Sequence, residues 1–311
     1  MQFPFSLAAN KPFDVVGFGL NAVDHLIVVP KYPAFDTKTR LIAHMLSAGG
    51  QTATAMVALA RLGLSTAYVG RFGSDPEGHF GLATLKDEGV NVDHVEVVEG
   101  SATQIAFITI EEHTGERTIV WDRDDKLAYK PEEAPRGVGS QGRILHLDAH
   151  DPPACVRVAQ DAKEAGAIIS ADIDNVYEGL PELLPYIDIL LGSKEFPFRV
   201  TGIRDRRTAL IEMQNRFGSA ITGMTIGDQG AVIYCGGQFL ESPAFAAPGG
   251  CRDTTGAGDA FRGGFLFGLL RGDDIETSMK LGNAVAAMKC SKLGARPGLP
   301  TVEQLEAFMT Q

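Results

Sequence analysis

The sequence predicts an α/β fold with a central, mostly parallel sheet flanked by helices. The first observation is that apolar strands alternate with helices after residue 143, an order typical of parallel sheets with helical crossovers. The second is that polar side chains follow the ends of these strands, where open parallel sheets bind ligands. The third is a half-polar hairpin in the first half of the chain, which does not suit a parallel sheet and predicts a separate small sheet.

The individual elements follow from apolar spacing, which repeats every second residue in strands and every three to four residues in helices. The turn-rich segment 111–116 separates the two hairpin strands. In the first half of the chain, we predict strands over 13–18, 26–29, 40–47 and 67–69, helices over 51–62 and 76–88, and hairpin strands over 103–110 and 117–121. In the second half, we predict strands over 144–147, 167–170, 187–191 and 220–226 and helices over 152–165 and 205–217. A hairpin through 230–234 and closing helices over 273–291 and 301–310 complete the prediction.

Composition excludes several classes of protein. The formal charge of -11, without any basic run, argues against a nucleic-acid partner, because binding phosphates needs clustered Lys and Arg. Cys155, Cys235, Cys251 and Cys290 form no C-x-x-C pair, which favours a reducing compartment over a disulfide framework. No segment has the length of a membrane span or the character of a signal peptide, so we expect a cytoplasmic protein with no membrane partner.

The run Asp253–Asp259 carries the strongest chemical signal. Its small residues precede an apolar helix pattern, so Gly256, Ala257 and Gly258 belong to a helix entrance whose unpaired N–H groups suit an anion. A carboxylate such as Asp259 cannot bind an anion, but it can take a proton from an attacking hydroxyl. The alternative is that both acids merely cap the helix.

Two further glycine segments leave alternatives open. Gly17-Phe18-Gly19 formally matches a dinucleotide fingerprint, but a strand follows it where that motif needs a helix. Asp24, just after this segment, is either a turn residue or an acceptor for a ligand hydroxyl. Gly49 and Gly50 open a second helix, on which Gln51, Thr52 and Thr54 either face a ligand or cap the helix.

With these loops placed, the chain resembles the ribokinase, or PfkB, family of carbohydrate kinases over nearly its whole length. Several ordered motifs carry the resemblance. They are Gly49-Gly50 before Arg61-Leu62-Gly63, Gly70 to Gly78, Thr225 to Gly230, Asp253 to Phe261, and Asn283 to Ala287 leading into Gly294 to Gly298.

The resemblance implies a role for each of these segments. Asp259 is the general base, for which a carboxylate of ordinary pKa suffices, and the N–H groups of Gly256, Ala257 and Gly258 form the anion hole. For ATP, the resemblance implies binding by Ser193, Thr225, Gly227, Gly230 and Asn283, with Mg²⁺ held mainly by phosphates and waters. For the sugar, it implies binding by Asp24, Gly49 and Gly50, with Gln51, Thr54, Gln104 and Arg123 as further candidates. For K⁺, it implies binding by Asp253 and Thr255, with main-chain carbonyls near Lys289, Lys292 and Gly294.

The small sheet, over about 22–46 and 101–124, then resembles the family's lid within a single domain of 1–311. In this family the lid covers the sugar, excludes water and often supplies a dimer contact, so a homodimer is expected.

Two departures from the family pattern affect the acceptor. Thr54 stands where much of the family has Asn, and Ser193-Lys194-Glu195-Phe196 replaces an N-x-x-E motif. This variant is similar to the ketohexokinase and sulfofructose-kinase branches, so a ketose acceptor is favoured, with Arg123 available for an acidic group on it. The sequence therefore predicts an ATP-dependent kinase acting on a primary hydroxyl of a small sugar or sugar derivative. A nucleoside kinase of the same fold and a non-catalytic sugar-binding relative are the alternatives.

Overall fold

The computed structural model describes residues 1–310, and its centre is an eight-stranded sheet. The strand order is β14-β13-β12-β11-β10-β9-β1-β4. Strands β4, β1 and β9 to β12 are parallel, and β13 pairs antiparallel with both β12 and β14. The predicted α/β class is confirmed. Its strands are β1 (Phe13–Phe18), β4 (Thr66–Val69), β9 (Gly142–Leu147), β10 (Ile168–Ile173), β11 (Ile189–Gly192), β12 (Ile221–Thr225), β13 (Ala231–Cys235) and β14 (Gln238–Ser242).

Helices cover both faces of this sheet. Neighbouring residues of β1 enter different cores: Val15 packs with the helices that begin at Gln51 and Ala257, and Val16 packs with the helix that begins at Pro152. Burial on both faces explains the apolar character of the parallel strands. The helices are α1 (Gln51–Arg61), α2 (Pro76–Asp87), α3 (Pro152–Glu164), α4 (Leu180–Leu183), α5 (Phe196–Thr201), α6 (Arg206–Phe217), α7 (Ala257–Arg271), α8 (Ile275–Cys290) and α9 (Val302–Met309).

A separate four-stranded sheet covers one edge of the molecule. Its order is β3-β2-β7-β8, formed by Ala43–Gly49, Ala22–Val29, Ile105–Glu111 and Arg117–Asp122. We call it the lid sheet. The separate sheet was expected, but β2 is longer than predicted and pairs in parallel with β7, so the sheet is mixed. As a result Asp24 lies within a strand and not in a turn.

Apolar spacing did not predict four short elements, two strands and two helices. Strands β5 (Arg71–Gly73) and β6 (Glu96–Val98) form a small parallel pair. The short helices α4 and α5 begin at residues that apolar spacing left without an assignment, and each has Pro in its first turn. Among residues 1–310, no helix is both long and apolar enough to span a membrane.

The glycines at 17 and 19 serve packing and not dinucleotide binding. A Cβ at Gly17 would lie 2.7 Å from Met56 Cγ, and one at Gly19 would lie 2.2 Å from Asp148 Oδ2. The buried Asp148 carboxylate in turn accepts hydrogen bonds from Leu20 N at 2.6 Å and Thr52 Oγ1 at 2.8 Å. Asp148 therefore joins the ends of β1 and β9 to the start of α1.

Candidate active site

The predicted site residues meet at a cleft of about 930 Å³ between the lid sheet and the carboxyl ends of the parallel strands. Most of them line it. The lining includes Asp24, Gly50, Gln51 and Gln104 towards the lid, Ser193, Thr225, Gly227 and Asn283 at the far end, and Thr255, Gly256, Ala257, Gly258 and Asp259 between them. The residues that do not line it are Gly49, Thr54, Arg123, Gly230, Asp253, Lys289, Lys292 and Gly294.

The start of α7 forms the centre of this cleft. Gly256 precedes the helix with φ +76°, a left-handed conformation that favours glycine, and a Cβ there would lie 2.8 Å from Ala295 Cβ. Ala257 and Gly258 follow as the first helical residues, whose N–H groups have no partner within a helix. Because these groups and the positive end of the helix face the cleft, a phosphate group fits here.

The buried carboxyl of Asp172, the partly buried carboxyl of Asp259 and the buried Arg262 lie beside the anion cradle, as we call Gly256, Ala257 and Gly258. The Asp172 side chain, from the end of β10, is hydrogen-bonded to Asp259 and forms an ion pair with Arg262 Nη2 at 2.8 Å. Burial, and then the like charge of Asp172, raise the pKa of Asp259 well above its usual range, whereas Arg262 opposes that rise. Asp259 is therefore a stronger proton acceptor than the ordinary carboxylate that the sequence led us to expect.

Arg262 is a site residue that the sequence reasoning missed. It is only 1% exposed, and its Nη1 donates to Thr225 Oγ1 and to the carbonyl of Gly258, both at 3.2 Å. The guanidinium thus joins the ends of β10 and β12 to the first turn of α7. A single charge within the apolar run 260–270 was the signal that could have identified it.

The end of the cleft nearest the lid sheet is built around Asp24. A Cβ at Gly49 would lie 2.3 Å from Asp24 Oδ2, so the glycine makes room for the carboxylate. The buried Arg296 donates from Nη2 to the carbonyl of Gly49 at 2.7 Å. Burial raises the pKa of Asp24 to about 7, against the opposing charge of Arg296. Asp24 can therefore accept ligand hydroxyls most strongly above neutral pH.

Two of the candidate substrate residues lie away from the cleft. Arg123 forms an ion pair with Asp151, at 3.0 and 2.9 Å, and donates to the carbonyl of Leu127 at 3.1 Å. These bonds pair the charge of the guanidinium within the protein, and a contact of Arg123 with an acidic substrate group stays a prediction. Thr54 is fully buried in α1, and its hydroxyl makes no hydrogen bond among the described residues.

The far end of the cleft has a shaped loop above Asn283. The Asn283 amide donates to Ser242 Oγ and the carbonyl of Ser242, both at 3.0 Å, and to the carbonyl of Pro243 at 3.1 Å. Asn283 therefore fixes the loop 243–247, part of which lines the cleft. Gly230, which does not line the cleft, allows the chain to pass close to the start of this loop. Its φ is +91°, and a Cβ would lie 2.1 Å from the carbonyl oxygen of Ser242.

The Ser193–Phe196 variant has a structural explanation. Ser193 lines the cleft, Glu195 is exposed outside it, and Phe196 is fully buried against Gly192. Asp174, Asn175 and Arg199 line the cleft beside Ser193, and Arg199 Nη1 donates to Asn175 Oδ1 at 3.0 Å.

Residues 1–310 contain no group of three or more His, Cys, Asp and Glu side chains that could hold a metal ion.

The loop expected to hold K⁺ already contains a positive charge. The Asp253 carboxylate accepts hydrogen bonds from the N–H groups of Thr255 and Gly294, both at 2.8 Å. The Asp253 carbonyl oxygen lies 2.7 Å from the ammonium of Lys289, a fully buried side chain. A monovalent cation about 4 Å from this ammonium would meet a repulsion of about 4 kcal/mol at an effective dielectric constant of about 20. The arrangement therefore does not fit K⁺.

The lid sheet presents an aromatic and apolar surface to the cleft. Ala106, Ile108, Ile119 and Trp121 line it from β7 and β8. The Trp121 ring lies edge-on to His150, with ring centroids 6.3 Å apart. His150 also contacts Tyr177, with ring centroids 4.8 Å apart. Arg117 of β8 donates to Thr254 Oγ1, which joins the edge of the lid sheet to the segment before α7.

The chain is similar to known proteins over nearly its whole length. A family model described as "pfkB family carbohydrate kinase" matches residues 14–302. An "Uncharacterized sugar kinase" of Archaeoglobus fulgidus is 34% identical over 78% of this chain and 98% of its own length, and a "Nucleoside kinase" of Methanothermobacter thermautotrophicus is 28% identical over 96% of each chain. The crystal structure of a putative ribokinase from Agrobacterium tumefaciens superposes with a TM-score of 0.85, at 25% identity, over 96% of this chain and 98% of that one.

The raised pKa of Asp259 predicts that Asp259→Asn stabilises the protein. An unfolded aspartate loses its proton near pH 4, so the folded chain binds more protons than the unfolded chain between that pH and the raised pKa, and stability falls as pH rises. The Asn side chain cannot titrate, so Asp259→Asn does not lose this stability as pH rises. We expect its melting temperature to exceed that of the unmodified chain at pH 7 and to approach it near pH 4, as measured by thermal denaturation across pH.

Asp205→Asn is the matched control for this measurement. Hydrogen bonds from Thr208 hold the pKa of the Asp205 carboxyl below its usual range. Its contribution to stability therefore has the opposite sign, present above pH 4 and lost as pH falls. A gain for Asp259→Asn that is independent of pH would contradict a raised pKa at that position.

Proposed function

The chain belongs to the pfkB family of carbohydrate kinases, and on that basis we propose that it transfers the γ-phosphoryl group of Mg·ATP to a primary hydroxyl of a small sugar or sugar derivative. The single observation that supports this reaction most is the position of Asp259, which lines the cleft together with Gly256, Ala257 and Gly258 at the N-terminus of α7. A proton acceptor and an anion cradle at one place are what phosphoryl transfer to a hydroxyl requires.

Each group at the centre of the cleft has a part in this reaction. The Asp259 carboxylate takes the proton of the attacking hydroxyl, whose oxygen forms the new bond to phosphorus while the bond to ADP breaks. The N–H groups at Gly256 to Gly258 bear the negative charge of the phosphoryl oxygens. Arg262 holds Asp172 in place, and Asp172 is hydrogen-bonded to Asp259. Mg²⁺ would neutralise charge on the nucleotide phosphates when bound.

The two ends of the cleft hold the two substrates in this proposal. Asp24 and the N–H groups around Gly50 bind the acceptor hydroxyls, with Gln51 and Gln104 as neighbours. Ser193, Thr225, Gly227 and Asn283 line the nucleotide end. Among sugars, we propose a ketose as the first acceptor to test, because the Ser193–Phe196 variant is similar to ketose-kinase branches of the family.

A nucleoside is the second candidate acceptor, and the aromatic wall of the cleft favours it. Trp121, His150 and Tyr177 line the cleft, and the His150 ring contacts both of the others. Aromatic side chains in this arrangement stack nucleobases. The similar nucleoside kinase from Methanothermobacter thermautotrophicus is consistent with this alternative.

We further propose that the outer face of the lid sheet is a dimer contact. Leu46, His25, Phe107 and Val120 are register partners across all four strands, so they form one row on that face. Phe107 and Val120 are 45% and 65% exposed. An apolar row of this kind marks an interaction site, and a second copy would bury it against itself through a two-fold axis.

An acceptor screen tests the kinase activity. ADP release is measured with ketoses, aldoses, sugar acids, sugar phosphates and nucleosides, each with Mg·ATP. We expect turnover with at least one acceptor and a loss of about a hundredfold or more in kcat for Asp259→Asn, because the general base is removed. An Asn variant with the rate of the unmodified enzyme, or no acceptor that raises ADP release above the basal rate, would refute the assignment.

The same screen separates the two acceptor classes. Trp121→Ala removes one ring of the aromatic wall without touching Asp24 or Asp259. If the acceptor is a nucleoside, its KM should rise about tenfold, since base stacking contributes about 1–3 kcal/mol. A nucleoside substrate that is unaffected by the substitution would count against stacking at this wall.

Asp24→Asn tests the acceptor end separately. Asn keeps the size of the side chain but loses the charge that accepts substrate hydroxyls, so the acceptor KM should rise about tenfold or more, as expected for hydrogen bonds to a charged group. The KM for ATP should stay unchanged, because the nucleotide residues are at the other end of the cleft. Initial rates with each substrate varied in turn measure both constants. Equal changes in the two would place Asp24 outside the acceptor site.

A further inference from the structure

Lys289 is an unusual residue to find in the segment that supports the anion cradle. Its side chain is fully buried at the end of α8, and its ammonium donates to the carbonyl oxygen of Asp253 at 2.7 Å. One carboxylate oxygen of Asp253 lies 4.0 Å away. Burial lowers the pKa of Lys289, and the charge of Asp253 opposes that change. A buried ammonium persists only where oxygens replace its water.

These oxygens belong to the turn that leads into α7. The Asp253 carboxylate binds the N–H groups of Thr255 and Gly294, and the carbonyl of Thr254 accepts from Ala257 N at 3.2 Å. The ammonium therefore fixes the carbonyl of Asp253, the first residue of the segment 253–258. The last three residues of this segment, Gly256 to Gly258, form the anion cradle. A cation at this position orients the segment without touching either substrate.

We propose that Lys289 is a built-in cation that takes the place of a bound monovalent ion, so that the enzyme does not depend on K⁺. This inference rests on the proposed kinase function only for its effect on rate. Removing the ammonium would leave the Asp253 carbonyl oxygen without this partner, next to Thr255, whose buried hydroxyl makes no hydrogen bond among the described residues. Oxygens of this kind suit K⁺. Lys289→Met, which keeps the length of the side chain, should therefore create a K⁺ requirement.

The experiment compares KCl with tetramethylammonium chloride at equal ionic strength, in two measurements. The first is the melting temperature without any substrate. We expect the unmodified chain to differ by less than about 1 °C between the salts, and Lys289→Met to melt about 2 °C or more higher in KCl, because a ligand that binds only the folded chain stabilises it. The exposed Lys280, also on α8, supplies the matched control: Lys280→Met should show no difference between the salts.

The second measurement is kcat with the acceptor found in the screen. The unmodified enzyme should have the same kcat in both salts within about twofold, and Lys289→Met should lose about tenfold in tetramethylammonium and recover most of it in KCl. Because the melting measurement needs no turnover, it decides the role of Lys289 even if the kinase assignment fails.

Two results would overturn the inference. One is a higher melting temperature or rate of the unmodified chain in KCl, and the other is a Lys289→Met variant that folds and is indifferent to K⁺. If Lys289→Met does not fold in either salt, Lys289→Gln replaces it under the same criteria. The comparison of salts on the unmodified chain stands in every case.

Discussion

The buried ion pair between Arg262 and Asp172 is the interaction on which the rest of the site depends. It joins the end of β10 to the first turn of α7, and the same guanidinium reaches Thr225 at the end of β12. The anion cradle and the acid at position 259 therefore keep fixed positions relative to the parallel sheet. Burial raises the pKa of Asp259 most, and the same pair then acts on it, because Asp172 raises and Arg262 lowers that pKa. The pair thus contributes to both the geometry and the proton affinity of the site.

Around this pair, close approaches fix the remaining parts of the cleft. Gly49 gives room to the Asp24 carboxylate, and Gly256 turns the chain against Ala295. Asp253 ties that turn to Gly294 after α8, with the ammonium of Lys289 on its carbonyl oxygen. The lid sheet closes the acceptor side with apolar and aromatic side chains. The cleft therefore has a charged centre, an end around Asp24 for which we propose acceptor binding, and an end around Asn283 for which we propose nucleotide binding.

The sequence predicted the fold and the centre of the site because both depend on local patterns. Strand and helix spacing gave the α/β class, and the small residues before α7 identified the anion cradle and its acid. Contacts between distant segments were not predictable in this way. The partner of Arg123 is Asp151, the side chain of Lys289 reaches Asp253, and Arg262 meets Asp172, each across more than twenty residues. Spacing along the chain carries no information on which of these charges meet.

The central claim is that Asp259 is a base whose pKa, raised by burial, is raised further by Asp172 and lowered by Arg262. The pH dependence of kcat/KM in the unmodified enzyme and in Asp172→Asn tests it most directly. Removing the charge of Asp172 ends its repulsion of the Asp259 carboxylate and frees the positive charge of Arg262 to act on it. The acid limb of the profile should therefore move to lower pH in a variant that thermal denaturation shows to be folded. An acid limb that stays in place or moves to higher pH would contradict the account.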